Sequence, residues 1–207
     1  MMTRLVLLPG LGADERLFTP QLDAFEEATV PAWIEPKPRE SLRSYASRFA
    51  EQAVCPEDGE DWVAIGFSFG GMVALEMARS LAPEQRPRRI GLISGARSRR
   101  SITTPFRVQV AIGTRVPRAI AKPAIAGALA SVFAKSCGLD RLQTAELRVM
   151  AGDIDWGFLK WAARACTRWD FEGPGEVPVA WMHGKRDRVI PFVPHPAFTD
   201  DLTLIDD

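Results

Sequence analysis

A serine stands between two glycines in the segment Trp-Val-Ala-Ile-Gly-Phe-Ser-Phe-Gly-Gly, residues 62–71. The apolar run before it is typical of a buried strand, and apolar residues recur at helical spacing after it. A strand that turns directly into a helix holds its corner residue at a strained backbone angle, and Gly66 and Gly70 occupy the places where side chains would collide. Such a corner exposes the Ser68 hydroxyl beyond the end of the sheet. It also points the first N–H groups of the helix toward the group that the hydroxyl attacks. The spacing therefore predicts a nucleophile at Ser68.

This glycine-rich segment has other interpretations. A plain turn with an incidental serine stays open as an alternative. The dinucleotide pattern Gly-x-Gly-x-x-Gly fails because position 68 is serine, and a phosphate-binding loop fails because Met72 stands where lysine is needed. Neither phosphate motif is therefore present.

The composition indicates one domain with one sizeable core, since the chain has 207 residues and is 46% hydrophobic. Basic and acidic residues balance at 26 each, which predicts no overall attraction to nucleic acid or to a membrane. Cys55, Cys137 and Cys166 show neither disulfide-framework nor metal-site spacing. No apolar stretch reaches membrane-spanning length. We therefore expect a soluble, cytoplasmic protein without a disulfide framework or a zinc site.

Apolar runs alternate with helical patterns along the first half of the chain. The runs predict six strands, at 4–8, 29–34, 62–67, 89–94, 177–183 and 202–205. The helical patterns predict helices at 15–27, 41–54, 71–82, 140–151 and 154–169. Because the strands lack polar alternation and helices separate them, we expect an α/β fold with a mostly parallel sheet of about six strands covered by helices. Ligands of such sheets bind at the carboxyl ends of the strands.

The alternation stops after the fourth strand, and about eighty residues pass before the next one. We interpret residues 97–175 as a helical cap inserted into a single domain, 1–207. Four aromatic residues of this segment are expected to pack in the interior rather than bind a ligand. These are Trp156, Phe158, Trp161 and Trp169.

Three segments together resemble the α/β-hydrolase superfamily, and the resemblance covers most of the chain. They are Leu-Leu-Pro-Gly-Leu-Gly at 7–12, Gly-Phe-Ser-Phe-Gly-Gly at 66–71 and His-Gly-Lys-Arg-Asp-Arg-Val-Ile-Pro at 183–191. The resemblance implies an acyl-enzyme on Ser68, with no metal or organic cofactor. It also implies an oxyanion hole made by the backbone N–H groups of Leu11 and Phe69.

The resemblance implies a carboxylate after the strand that follows the cap, which is Asp187. In a minority variant the carboxylate follows the preceding strand, but residues 94–100 offer none. An aspartate that only satisfies the turn after the strand is the other interpretation of Asp187. Asp14, beside the oxyanion loop, is expected to be a helix N-cap.

Histidine is where the sequence departs from the family's order of serine, aspartate, histidine. His183 precedes Asp187, and the resemblance implies a structural role for it. His195 has the right order but precedes the last strand instead of following it. We expect the catalytic histidine beyond Asp207, together with the final helix that normally covers one face of the sheet, and keep His195 as the candidate within the sequence.

The functional hypothesis is a serine hydrolase that cleaves a small-molecule ester or thioester. The alternative is a noncatalytic binding protein of the same fold that lacks a working triad. Arg97, Arg99 and Arg100 belong to a stretch without acidic residues between Glu84 and Asp140. They could attract an anionic acyl donor such as a phosphate-bearing thioester, or they could form an ordinary solvated face.

Overall fold

A computed structural model describes residues 3–96, 101–113, 115, 127, 131, 139–171, 176–187, 190–193 and 201–206. Six strands form one parallel sheet in the order β2-β1-β3-β4-β5-β6. The strands are β1 (Arg4–Leu8), β2 (Ala28–Thr29), β3 (Trp62–Phe67), β4 (Arg89–Ile93), β5 (Val179–Gly184) and β6 (Leu202–Ile205). The prediction of a mostly parallel α/β sheet is confirmed.

The register of the central strands brings their carboxyl ends to one edge of the sheet. Leu8 of β1 lies opposite Gly66 of β3, and Phe67 of β3 lies opposite Ile93 of β4. Ile93 in turn lies opposite Met182 of β5. The segments that follow β1, β3, β4 and β5 therefore meet along this edge, where parallel sheets bind their ligands.

Six α-helices surround the sheet in the part of the chain that the structure describes. They are α1 (Thr19–Ala24), α2 (Leu42–Phe49), α3 (Phe69–Ser80), α4 (Thr104–Gly113), α5 (Arg141–Asp153) and α6 (Trp156–Arg168). Side-chain oxygens cap three of them: Ser41 accepts from Ser44 N–H, Asp140 from Gln143 N–H and Asp155 from Phe158 N–H. Such caps satisfy N–H groups that have no partner inside the helix.

Two predicted elements are corrected by the structure. The second strand is not 29–34 but the two residues Ala28–Thr29, because Pro31 lacks the N–H that a strand ladder needs. The helix predicted at 15–27 divides into a 3-10 turn, Glu15–Phe18, and α1, which begins with Pro20 in its first turn. Proline fits the start of a helix and not its interior, so the chain restarts there.

Other element boundaries differ from the prediction by a few residues. The helix predicted at 41–54 ends as α2 at Phe49 and continues as a π-helical turn, Ala50–Val54. Helix α3 begins at Phe69, two residues before the predicted start, and therefore directly after Ser68. Asp14 accepts a hydrogen bond from Arg16 N–H at the start of the 3-10 turn, which confirms it as an N-cap.

Helix α3 is the centre of the core, with almost all of its residues buried. It packs against β1, β3 and β4 on one side and against α2 and α6 on the other. The four aromatic residues expected to pack do so: Trp156, Phe158 and Trp169 are buried, and the half-buried Trp161 packs against the core cluster. Burial of such rings is the main source of stability in a domain of this size.

Glu76 is a buried carboxylate on α3, with 2% of its surface exposed. Its Oε1 accepts a 2.8 Å hydrogen bond from Trp169 Nε1, which ties α3 to the segment after α6. Its Oε2 is buried and has no hydrogen-bond partner among the described residues.

We expect two substitutions of Glu76 to have different outcomes. Glu76→Leu leaves the buried indole N–H of Trp169 without an acceptor and should lower the free energy of unfolding by about 1–3 kcal/mol. Glu76→Gln keeps the acceptor for the Trp169 N–H, so it should be more stable than the leucine variant. Urea denaturation of the three proteins measures this, and a leucine variant as stable as the parent would contradict the role of the Trp169 bond.

No helix among the described residues is long and apolar enough to cross a membrane. The assignment of 97–175 as a cap within a single domain stays a prediction, because much of that segment lies outside the described residues.

Candidate active site

Ser68 occupies the corner between β3 and α3. Its backbone has φ +53° and ψ −111°, a region that residues with a side chain rarely adopt. Ser68 N–H donates to Ile93 O at 2.9 Å, which holds the corner against the end of β4. Strain of this kind persists only where the surroundings impose it, and it is common at functional sites.

Gly66 and Gly70 make this corner possible. A Cβ on Gly66 would overlap the backbone of Gly70 and Gly71. A Cβ on Gly70 would overlap the carbonyl of Leu8 and come within 2.8 Å of Pro9 O. Both glycines are therefore required sterically, because real Cβ atoms do not approach backbone so closely.

We expect Gly70→Val to abolish activity and to destabilise the protein severely, because its side chain has to displace the backbone at the end of β1. Gly152→Ala is a matched control. A Cβ there meets nothing within 4 Å, and alanine favours a helix by up to about 1 kcal/mol over glycine. Activity and thermal unfolding would be measured for both. A folded and fully active valine variant would argue against the geometry of the corner.

The loop after β1 lies directly beside the corner. A Cβ on Gly10 would come within 2.7 Å of the Phe67 ring, so the backbone of this loop passes close to the residue before Ser68. The backbone N–H groups of Leu11 and Phe69 make no hydrogen bond to another described residue. The structure thus brings the loop that contains Leu11 and the start of α3 at Phe69 to the same edge of the sheet as Ser68.

His183 is buried at the end of β5 and both ring nitrogens have partners. Trp181 Nε1 donates to His183 Nδ1 at 3.2 Å, and His183 Nε2 lies 2.7 Å from Ile190 O. Since Nδ1 accepts a hydrogen bond from the indole N–H, Nε2 carries the ring proton and donates a hydrogen bond to the carbonyl. The ring has no free lone pair and fits the structural role that the resemblance implied.

Asp187 lies in the turn after β5, at the carboxyl edge of the sheet. Its Oδ1 accepts from Ile190 N–H at 2.9 Å, and its Oδ2 lies 3.6 Å from His183 Nε2. The side chain is 14% exposed, so it is partly accessible from the edge. Both interpretations of Asp187, as the acid of a triad and as a turn residue, agree with these contacts.

A cleft of about 830 Å³ opens beside this edge, between the loop after β1 and α5. Phe67, which immediately precedes Ser68, contributes to its wall together with Gly10 and Leu11. The opposite wall comes from α5 and includes Leu147 and Met150. The sequence did not identify these α5 residues as a binding surface, because helical spacing shows an apolar face but not what it faces.

The remaining candidates fall elsewhere. His195, Arg97, Arg99 and Arg100 lie outside the described residues.

Burial raises the pKa of the Cys166 thiol to about 12, which keeps it protonated. Within the described ranges no group of three or more histidine, cysteine or acidic side chains is placed to hold a metal ion.

Comparison with known proteins gives structural matches only. No protein-family model matches the chain, and no curated protein matches its sequence.

Solved structures match over nearly the whole chain. A thermophilic esterase from Thermogutta terrifontis is 14% identical, with a TM-score of 0.75 over 99% of this chain and 81% of that one. A hydrolase from Oleispira antarctica is 16% identical, with a TM-score of 0.69 over 100% of this chain and 83% of that one. A thioesterase of the prodiginine pathway of Streptomyces coelicolor is 20% identical, with a TM-score of 0.60 over 98% of this chain and 76% of that one.

Structural matches at such low sequence identity establish the fold, whereas the reaction has to be argued from the site. The parallel sheet, the strained serine between β3 and α3 and the likeness to these hydrolases agree with one another. The chain has the α/β-hydrolase fold.

Proposed function

We propose that this protein is a serine hydrolase that cleaves a small-molecule ester or thioester through an acyl-enzyme on Ser68. The observation that carries the proposal is the strained corner at Ser68, held beside the loop after β1. A strained non-glycine residue is costly, so its presence at the ligand-binding edge of the sheet favours function over an incidental turn.

The chemistry follows from the positions of these groups. Ser68 Oγ attacks the carbonyl carbon, and the negative charge on the carbonyl oxygen is stabilised by the N–H groups of Leu11 and Phe69. The tetrahedral intermediate collapses, the alcohol or thiol leaves with a proton, and the acyl group remains on Ser68. Water then attacks the acyl-enzyme, which releases the acid and restores the hydroxyl. No metal or organic cofactor takes part in these steps.

A histidine is proposed to take the proton of Ser68, oriented by Asp187. The sequence has two histidines. His183 is held between Trp181 and Ile190, which leaves His195 as the candidate within this sequence. Hydrolysis that survives His195→Ala would exclude His195 as the base.

The cleft beside the corner is proposed to hold the acyl group. Its walls combine the backbone of the oxyanion loop with apolar side chains such as Leu17, Leu147 and Met150. Apolar walls with a few convergent polar groups are typical of small-molecule sites. The esterase and thioesterase among the structural neighbours support the same substrate class.

The second candidate function is that of a noncatalytic small-molecule binding protein. The observation that favours it is the commitment of His183 to structural bonds, since no other histidine lies in the described part of the chain. Such a protein would bind ligands in the cleft without turning them over.

Turnover separates the two candidates. Nitrophenyl esters and acyl thioesters of increasing chain length would be assayed with the parent protein, beside Ser68→Ala. We expect hydrolysis that depends on Ser68 and on chain length. Saturable binding of the same compounds without any Ser68-dependent turnover would favour the noncatalytic function.

A further inference from the structure

A second cleft, of about 530 Å³, lies between α4 and α6 and is lined by basic residues. Four arginines contribute to its walls: Arg107 and Arg115 from α4 and the residues after it, and Arg164 and Arg168 from α6. The hydroxyls of Thr104 and Thr167 complete the polar part of the lining. We call this group of residues the arginine cleft.

The two helices that form the arginine cleft contain no acidic residue. This is unusual in a chain whose charges balance. Other arginines on the surface form ion pairs, such as Arg4 with Glu60, Arg86 with Glu176 and Arg88 with Asp61. By contrast, Arg107, Arg115 and Arg168 form no ion pair with a described carboxylate. Three of the four arginines in the cleft therefore have no ion-pair partner among the described residues.

The residue types in the cleft match the chemistry of phosphate groups. A guanidinium presents a fork of N–H donors that fits phosphate oxygens in pairs, and threonine hydroxyls add single donors. Concentrating four such cations around one concave space costs repulsion, which a ligand with two or more negative charges relieves. A phosphorylated ligand satisfies this requirement better than a single carboxylate.

The arginine cleft and the candidate active site share helix α6. The rings of Phe158 and Trp161 near the start of α6 lie 6.0 Å and 6.2 Å from the ring of Phe69, the residue after Ser68. Arg164 and Arg168 follow Trp161 by three and seven residues, about 4.5 Å and about 10 Å along the helix axis. Helix α6 therefore contacts the residue after Ser68 near its start and lines the arginine cleft near its end.

We propose that the arginine cleft binds the phosphate groups of an acyl thioester, so that the substrate is a phosphate-bearing thioester. This proposal rests on the proposed hydrolysis at Ser68 for its reaction. The anion site itself depends only on the residues of the arginine cleft. Binding at the cleft anchors the thiol portion of the substrate, while the acyl carbonyl reaches the corner at Ser68.

The test has a binding arm and a kinetic arm. Binding of inorganic pyrophosphate is measured by calorimetry for the parent, for Ser68→Ala and for the double variant Arg107→Gln, Arg168→Gln. Arg88→Gln is the matched control, because Arg88 is an exposed arginine at the amino end of β4, away from the cleft. We expect the double variant to bind about 10- to 100-fold more weakly, Ser68→Ala and Arg88→Gln to bind as the parent does, and binding to weaken as salt rises.

The kinetic arm compares an acyl coenzyme A with the same acyl group on uncharged N-acetylcysteamine. The ratio of the two kcat/KM values should fall about 10- to 100-fold in the double variant and stay constant in Arg88→Gln. Absence of pyrophosphate binding to the parent, or an unchanged ratio in the double variant, would overturn the proposal. Arginine-dependent pyrophosphate binding in a protein that hydrolyses neither thioester would instead refute the proposed hydrolysis and its substrate, and leave only an anion site.

Discussion

Replacing Ser68 by alanine should lower kcat for ester or thioester hydrolysis by about 10⁴-fold or more. The hydroxyl is the group that forms the acyl-enzyme, and removal of the nucleophile from a serine hydrolase costs up to about 10⁶ in kcat. Alanine keeps a Cβ at the same strained position, so the fold should survive. Steady-state kinetics with a nitrophenyl ester and a thioester measure the effect.

Ser80→Ala is the control for this substitution, since Ser80 ends the same helix and its hydroxyl donates to Met77 O. Its turnover should equal that of the parent. Undiminished turnover in Ser68→Ala would show that another group performs the reaction and would exclude an acyl-enzyme on Ser68.

Asp187→Asn should lower kcat by about 10³- to 10⁴-fold with little change in stability. The asparagine amide oxygen can still accept from Ile190 N–H, so the turn after β5 keeps its hydrogen bond. What the variant loses is the negative charge that would orient the histidine and stabilise its protonated form, a loss of about 10⁴ in a well-studied triad. The variant therefore separates the two interpretations of Asp187.

Measurement of kcat and of the unfolding midpoint for Asp187→Asn and Asp187→Ala decides between them. If Asp187 serves the turn alone, the asparagine variant stays fully active and only the alanine variant is less stable. That outcome would leave the catalytic acid to be sought elsewhere in the chain.

The sequence predicted the central strands well because their limits are marked by local chemistry. Strands β1 and β3 are continuous apolar runs that end at Pro9-Gly10 and at the serine corner, and their predicted bounds match the structure. The second strand was predicted wrongly: residues 29–34 have the apolar pattern of a strand, but Pro31 lacks the N–H that pairing with a neighbouring strand requires. A hydrophobic pattern does not take a missing backbone N–H into account.

The parts of the candidate site that depend on nearby residues could also be predicted from the sequence, and those that depend on distant residues could not. The corner at Ser68 was predictable because it depends on neighbours two positions away, Gly66 and Gly70. The arginine cleft and the bond between Glu76 and Trp169 join residues that are far apart along the chain. Such pairs depend on how α6 packs against α3 and α4, which the order of residues does not reveal.

The mass of the protein after reaction with a fluorophosphonate shows whether Ser68 is an activated nucleophile. An activated serine attacks the phosphorus and displaces fluoride, which adds one phosphonyl group per chain. We expect a single adduct, located by peptide mapping on Ser68 and absent in Ser68→Ala. An adduct that forms equally in the alanine variant, or a parent protein that stays unmodified while it hydrolyses esters, would show that Ser68 is not the nucleophile.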